Sequence, residues 1–335
     1  LDPALPAALR AAIDLALEGQ GGGGLAQRAG RISEGYRQGR ASSVLVRDGS
    51  DALAYALTRT PATYAATRRA LEELRVLRPD FAPLSLLDAG AGPGGGGWAA
   101  VDAFDSLSAC TRLDHGPAFL ALAETLSADG PAVLSGASRL QADLADPGLA
   151  PPEADLVLAA YALTEVAPGR LADVVGRLWG ATRRIFLAIE PGTPDGWRRG
   201  LEVRALLAAG GGRIVGPCPH AGPCGLSAPD WCHFAQRLPR SRGHRQAKGA
   251  EAPFEDEKFF WIAAERHGAG PAPGHDPGPA RVIAPPRAGK IGVRLRLCQP
   301  DGRVADVEVA RRDRAAFARA RRLGWGDAFP LEEGQ

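Results

Sequence analysis

The chain has 335 residues, 45% of them hydrophobic and 23% charged, and a formal net charge of +2. This is the composition of a globular chain with room for one large domain carrying appendages, or for two domains, with ample core. No run of eighteen apolar residues occurs, which argues against a membrane-spanning helix. The five cysteines come without a secretory signal, which points to a reducing compartment rather than a disulfide framework.

The opening LDPALPAALRAAIDLALEG carries acids and no basic leader, so residues 1–20 read as an amphipathic helix rather than a signal or transit peptide. A glycine-rich, arginine-containing loop is expected next. A helix over 51–77 follows, broken near Pro61. Tyr36, Tyr55, Tyr64 and Arg59 read as packing residues of this helical preface. From Leu84 the pattern changes to short apolar strands alternating with helices: SLLDAG, SACTRLD, SRLQADL, ADLVLAAYAL, RRIFLAIEPG and GRIVGPC. Repeated βα units predict a doubly wound parallel sheet with helices on both faces. EKFFWIAAER (257–266) is the expected last strand, its aromatics suited to a pleated surface. The expected organisation is an N-terminal helical region (1–80) and a cofactor domain (81–268) with a cysteine-rich insertion at about 217–256. A linker (269–280) and a small basic β/α tail (281–330) complete the chain. In the tail, Val, Leu and Arg alternate, which predicts one buried and one basic face.

DAGAGPG at 88–94 follows a strand and opens a helix. Its small residues let backbone approach a ligand, and the helix start favours negative charge. The spacing Gly90, Gly92, Gly94 with Asp88 before it resembles the first motif of class I S-adenosylmethionine-dependent methyltransferases. That resemblance implies a Rossmann-like fold in which the glycine loop passes under the methionine part of the cofactor. It also implies that Asp114, ending the second strand, grips the ribose hydroxyls, and that Asp143 meets the adenine amino group. After the fourth strand the chain reads AAYALTEV, without the Asn/Asp-Pro-Pro-aromatic motif of base N-methyltransferases. No general base is identified. Tyr161 and Glu165 fall near where a substrate would sit and read as a packed tyrosine and a helix cap. The catalytic residues stay unassigned, and a domain that binds cofactor without turnover is one reading.

Cys218, Cys224, Cys232 and Cys298 are separated by five, seven and sixty-five residues. No CxxC knuckle is present, so an ordinary zinc ribbon fits poorly. Four thiolates from an irregular loop and one strand suit an iron–sulfur cluster. Zinc, with His220 or His233 as spare donors, and plain reduced thiols are the alternatives. Such a centre would clasp the long loop and fasten the tail to it. Cys110, within a strand, reads as an ordinary buried residue.

Residues 211–335 carry 20 Lys and Arg against 14 Asp and Glu, so the basic part of the chain is the cysteine part. Arg237, Arg240, Arg242, Arg245 and Lys248 follow Cys232, and Arg314, Arg319, Arg321 and Arg322 line the final helix. Arginine forks suit phosphate, so an RNA-binding surface is expected. The acidic EAPFEDEK is expected to pair with the Arg-rich loop when RNA is absent.

YALTRTPATYAA, LLDAGAGPG, IEPGTPDGW, CPHAGPC, DWCHFAQRL, HRQAKGAEAPFEDEKF, the LC at 297–298 and LGWGDAF together resemble one family: the mitochondrial small-ribosomal-subunit assembly proteins of methyltransferase type, with their bacterial relatives. The resemblance implies S-adenosylmethionine as cofactor and a 4Fe–4S cluster on Cys218, Cys224, Cys232 and Cys298. It further implies action on the small ribosomal subunit and its rRNA during maturation. The lack of an organelle presequence makes the chain look like a bacterial, cytoplasmic member, expected to be monomeric off the ribosome and away from membranes. Two alternatives stay open: an active rRNA methyltransferase with a purely structural metal, and a metal-stapled RNA-binding module without cofactor.

Overall fold

The computed structural model describes residues 3–18, 22–266 and 278–329, so most of the expected linker lies outside the described residues. Four helices precede the sheet: α1 (Ala7–Leu17), α2 (Gly22–Arg37), α3 (Ser42–Leu45) and α4 (Gly49–Leu77). α2 stands where a loop was expected. Leu25, Ala29 and Ile32 recur at helical spacing, and that buried stripe packs on α4. Arg28 and Arg31 both reach the buried Asp51 carboxylate, and Asp48 caps α4 by accepting from the Asp51 N–H.

α4 runs unbroken through Pro61 for 29 residues, which corrects the expected break. An interior proline costs about 3 kcal/mol. Leu53, Leu57, Leu71 and Leu74 are all buried, and each such side chain contributes roughly 1.5–3 kcal/mol. Packing wins.

The sheet elements and their helices are β1 (Ser85–Ala89), α5 (Gly95–Ala103), β2 (Ala109–Asp114), α6 (Pro117–Ser127), α7 (Ala132–Ser135), β3 (Ser138–Gln141) and β4 (Ala154–Ala160). They continue as α8 (Leu171–Gly180), β5 (Thr182–Pro191), α9 (Pro194–Ala209), β6 (Arg213–Gly216), β7 (Phe234–Pro239), α10 (Arg242–Lys248) and β8 (Phe254–Glu265). The strand order is β3-β2-β1-β4-β5-β8-β6, with β7 added on β8. The first five strands are parallel as expected, but β8 runs antiparallel between β5 and β6. The sheet is therefore mixed. β7 and α10 fall inside the segment read as an irregular loop. β7 packs on α4 and buries Phe234 and Leu238, while Ala235 and Gln236 stay partly exposed and Arg237 is exposed.

The tail forms β9 (Ala280–Val282), β10 (Arg287–Ala288), β11 (Gly292–Cys298), β12 (Val304–Ala310), α11 (Arg314–Ala320) and β13 (Ala328–Phe329). β11 is its centre, pairing β12 along its whole length and β10 and β9 as well. Val293, Leu295 and Leu297 fill a small core with Val282, Val309 and Ala320, while Arg294 between them is exposed. The alternation read from sequence is met here. Arg281 of β9 fastens this sheet to the rest: it donates to Glu73 of α4 (2.8 Å), to the Gly326 carbonyl (2.6 Å) and to the Pro217 carbonyl (3.2 Å).

Candidate cofactor cleft and cysteine cavity

At the C-terminal ends of β1, β2 and β4 lies a cleft of about 300 Å³. Gly90, Gly92, Asp114 and Asp143 line it, together with His115, Leu144 and Tyr161. Gly90 (φ +73°) and Gly92 (φ +52°) hold left-handed backbone, which only glycine adopts without strain. A Cβ on Gly90 would collide with Ala162, whereas nothing stands beside Gly92. Asp114 accepts from the Gly92 N–H (2.8 Å) and the Gly116 N–H (2.7 Å), so its carboxylate ties the loop to the end of β2. Asp143 is exposed at the cleft and accepts from the Ala145 N–H (2.8 Å).

Asp88 and Gly94 do not line the cleft. Asp88 is buried behind the loop, where it accepts from Gly97 at the start of α5 (2.9 Å). Burial raises its carboxyl to about 7, against that hydrogen bond and the nearby Arg112. Its place is to shape the turn. Gly94 caps α5 with φ +91°.

The other end of the cleft is built by the N-terminal region. Ala41, Ser42, Ser43 and Tyr55 line it opposite Glu165. Glu165 accepts from the Ser42 hydroxyl (2.6 Å), the Ser42 N–H (2.9 Å) and the Tyr36 hydroxyl (3.2 Å). Burial pushes its carboxyl above the ordinary range in spite of those donors. Tyr161 is a non-glycine residue at φ +59°. Its hydroxyl donates to Glu257 (2.9 Å), and the Arg59 guanidinium lies 6.0 Å from its ring centre. Glu165 is thus a latch for residues 36–42, and Tyr55 faces the cleft rather than only packing. No sequence signal marks Ser42.

Cys218, Cys224, Cys232 and Cys298 line a second cavity, walled by Trp197, Phe234 and Phe260 and reached also by His220. The sixty-five residues between Cys232 and Cys298 are spanned because β11 ends at Cys298, beside the loop that follows β6. Cys298 Sγ lies 3.5 Å from His220 Nε2. Among the described residues no group of three or more His, Cys, Asp or Glu is arranged to hold a metal ion directly. Burial raises the Cys298 thiol to about 12, helped by Cys218 and Cys224, and raises Cys232 and Cys218 in the same direction. Two guanidinium groups oppose this. Arg204 of α9 donates to the His220 (2.7 Å) and Gly222 (2.8 Å) carbonyls, and Arg281 holds Pro217. Both were missed from the sequence, although an arginine inside an apolar strand such as ARV is a signal for a buried partner. The DWCHF segment is pinned on both sides: Trp231 donates to the Gly192 carbonyl (3.0 Å), and His233 packs between Trp231 and Trp325. Cys110 lies buried in β2, in the hydrophobic core.

The five cations after Cys232 divide. Arg237 pairs with Asp256 (2.7 Å), and Arg240 (2.9 Å) and Lys248 (2.8 Å) with the mostly buried Glu255. This is the pairing expected from EAPFEDEK. Arg242 and Arg245 form no ion pair among the described residues.

A mixed sheet with this strand order, a glycine loop after β1 and an acid ending β2 define a protein of the Rossmann-like methyltransferase fold. Within that class the chain belongs to the Rsm22 family, described as mitochondrial small ribosomal subunit Rsm22, which matches residues 49–330. The human mitochondrial ribosome assembly protein METTL17 is 29% identical over 299 residues, covering 83% of this chain and 62% of that protein. The Schizosaccharomyces pombe mitochondrial Rsm22-cox11 tandem protein 2 is 23% identical over 333 residues, covering 84% of this chain and 43% of that one. The chain therefore spans less than two thirds of the length of these curated relatives. Among solved structures, it is similar to magnesium protoporphyrin IX methyltransferase from Synechocystis with bound SAM (TM-score 0.40, 12% identity, 62% of this chain and 84% of that one). It is also similar to a precorrin-6y C5,15-methyltransferase from Geobacter metallireducens (TM-score 0.40, 15% identity, 63% and 91%). These values are too low to carry a substrate or reaction across.

Proposed function

We propose that this chain binds S-adenosylmethionine in the cleft and a 4Fe–4S cluster in the cysteine cavity, and engages the small ribosomal subunit and its rRNA during assembly, as a bacterial cytoplasmic member of its family. The observation that carries the reading is the arrival of Cys298 in the same cavity as Cys218, Cys224 and Cys232. Four soft donors, apolar walls and two guanidinium groups that hold the surrounding loop suit an anionic iron–sulfur centre. Ligation draws on thiolates, so loading the site would release protons that burial now holds on Cys218, Cys232 and Cys298. In the cleft, Asp114 and Asp143 would hold the nucleoside, and Gly92 leaves room for close approach. When bound, the cofactor would supply an activated methyl group.

Binding without turnover is the reading we favour. Both Glu165 oxygens are already engaged by Ser42 and Tyr36, so this carboxylate is not free to act as a base in the cleft. Anaerobic purification with iron, sulfide and zinc analysis tests the cluster. Brown protein with iron and sulfide is expected; colourless protein with stoichiometric zinc removes the cluster. Calorimetry with S-adenosylmethionine on the wild type and Asp114→Ala tests the cleft, and the absence of heat would leave a metal-stapled RNA-binding module. Tritiated methyl transfer to immature small subunits would establish an active rRNA methyltransferase instead.

A further inference from the structure

The small sheet has two unlike ends. At one, Cys298 closes β11 against the cysteine cavity. At the other, about 20 Å away along a seven-residue strand, the β10–β11 turn meets the junction of β12 and α11. The Arg311 N–H donates to the Ile291 carbonyl (2.9 Å), and Gly292 is paired with Ala310. Two stretches of sequence some twenty residues apart thereby bring their cations together: Arg287 and Lys290 from one, Arg311, Arg312, Arg314 and Arg321 from the other. All six are exposed, and none forms an ion pair among the described residues. The nearest acid in sequence, Asp313, is occupied in capping α11. Glu308, further along β12, faces Arg294 (3.7 Å). The Arg311 and Arg321 guanidinium groups lie 5.5 and 5.9 Å from the ring centre of Phe317, so one half-buried ring supports two cations.

We propose that this basic end of the small sheet, and not the Arg-rich segment 237–248, is the surface through which the chain grips RNA. The proposal rests on the reading that the protein works on rRNA, and it locates the contact. Three of the five cations in 237–248 are neutralised by Glu255 and Asp256, so phosphate would have to break existing pairs. At the sheet end nothing need be broken. Arginine forks held by a ring keep their N–H edges for phosphate oxygens, and the planar groups also stack on unpaired bases. The cysteine end would then act as the fixed mount that aims the basic end.

The test uses the full chain, a short fluorescein-labelled RNA stem-loop, and two triple variants: Arg311→Ala/Arg312→Ala/Arg321→Ala and Arg237→Ala/Arg242→Ala/Arg245→Ala. The first should weaken binding about tenfold or more, and lower the slope of log affinity against log salt by roughly 2 to 3, one phosphate contact per arginine lost. The second should change affinity less than about threefold, because Arg242 and Arg245 stand outside the proposed contact and Arg237 is already paired with Asp256. Unchanged melting curves establish that both variants fold. If the second variant carries the loss, RNA binding stands and this surface is wrong. Wild-type protein that binds no RNA ends the functional reading with it. Binding of wild type to phosphatidylserine vesicles in preference to RNA, abolished in the first variant, would make the patch a membrane contact and overturn the proposal.

Discussion

Gly90 and Gly92 are two residues apart and do different work. Both need left-handed backbone, but only Gly90 has a neighbour, Ala162, in the space a side chain would take. Gly90→Ala is expected to cost about 1–3 kcal/mol from backbone strain alone, with the collision added, and to lower both melting temperature and cofactor affinity. Gly92→Ala meets no atom, so its stability loss should be the smaller and its loss of cofactor affinity the larger share of its effect. Melting curves and calorimetry on the two variants check this. Glu190, at the end of β5, offers a pH signature. It is 1% exposed, and burial raises its carboxyl to about 8, against the pull of Arg199. An unfolded glutamate titrates near ~4.3, so between these values the folded protein holds a proton that the unfolded chain has lost. Its stabilising contribution is therefore complete below about pH 4 and declines as pH rises through 8. Glu190→Gln cannot lose a proton. Between roughly pH 5 and 7 its denaturation free energy should fall less steeply than wild type, by up to about 1.4 kcal/mol per pH unit. Parallel pH profiles for the two proteins would refute this.

At the scale of elements, the cleft is closed by a strap rather than by the sheet itself. Residues 36–42, from the last turn of α2 to the start of α3, hang on the Glu165 carboxylate through three donors. Glu165→Ala should release them at a local cost of about 1–3 kcal/mol. Amide exchange over residues 36–46 should then quicken while the β1–β5 amides stay protected, and cofactor should leave faster. Equal protection of the strap in both proteins would show that α2 packing, not Glu165, holds it. The βα alternation and the glycine loop were legible because burial on both faces writes apolar runs, and the loop needs glycine. α2 and the unbroken course of α4 through Pro61 were not. Glycine and proline have poor intrinsic helix propensity, and only the buried stripe facing α4 and the core around it reverse that preference. β7 was hidden by its Gln and Arg content, because its stabilising partner, β8, lies after α10 in the chain.

For the whole molecule, the cysteine cavity is where the loop after β6, the DWCHF segment, α9 and the small sheet meet. Arg281 ties two of these parts, the loop after β6 and the small sheet, to α4, so part of the docking survives without any metal. Chelation or oxidative loss of a cluster should loosen residues 217–233 and the β9–β13 sheet together, with the β1–β5 core unmoved. Hydrogen exchange before and after removal reads this directly. Loosening of the loop alone would mean that Arg281 suffices to hold the tail. Cys298→Ser should reproduce the metal-free pattern.

The sequence by itself determined the class of fold, the glycine turn after β1 and the family. Each of these is written in local spacing or in a residue type that a local conformation demands. Only the tertiary structure decided which charges are free. Arg237, Arg240 and Lys248 look like the basic surface in the chain's order, yet the β7–β8 pairing sets them beside Asp256 and Glu255. Arg287 and Arg311 look unrelated in that order, yet the ends of β11 and β12 bring their neighbourhoods together. Electrostatics depends on distance through space, and strand pairing sets that distance between residues far apart along the chain.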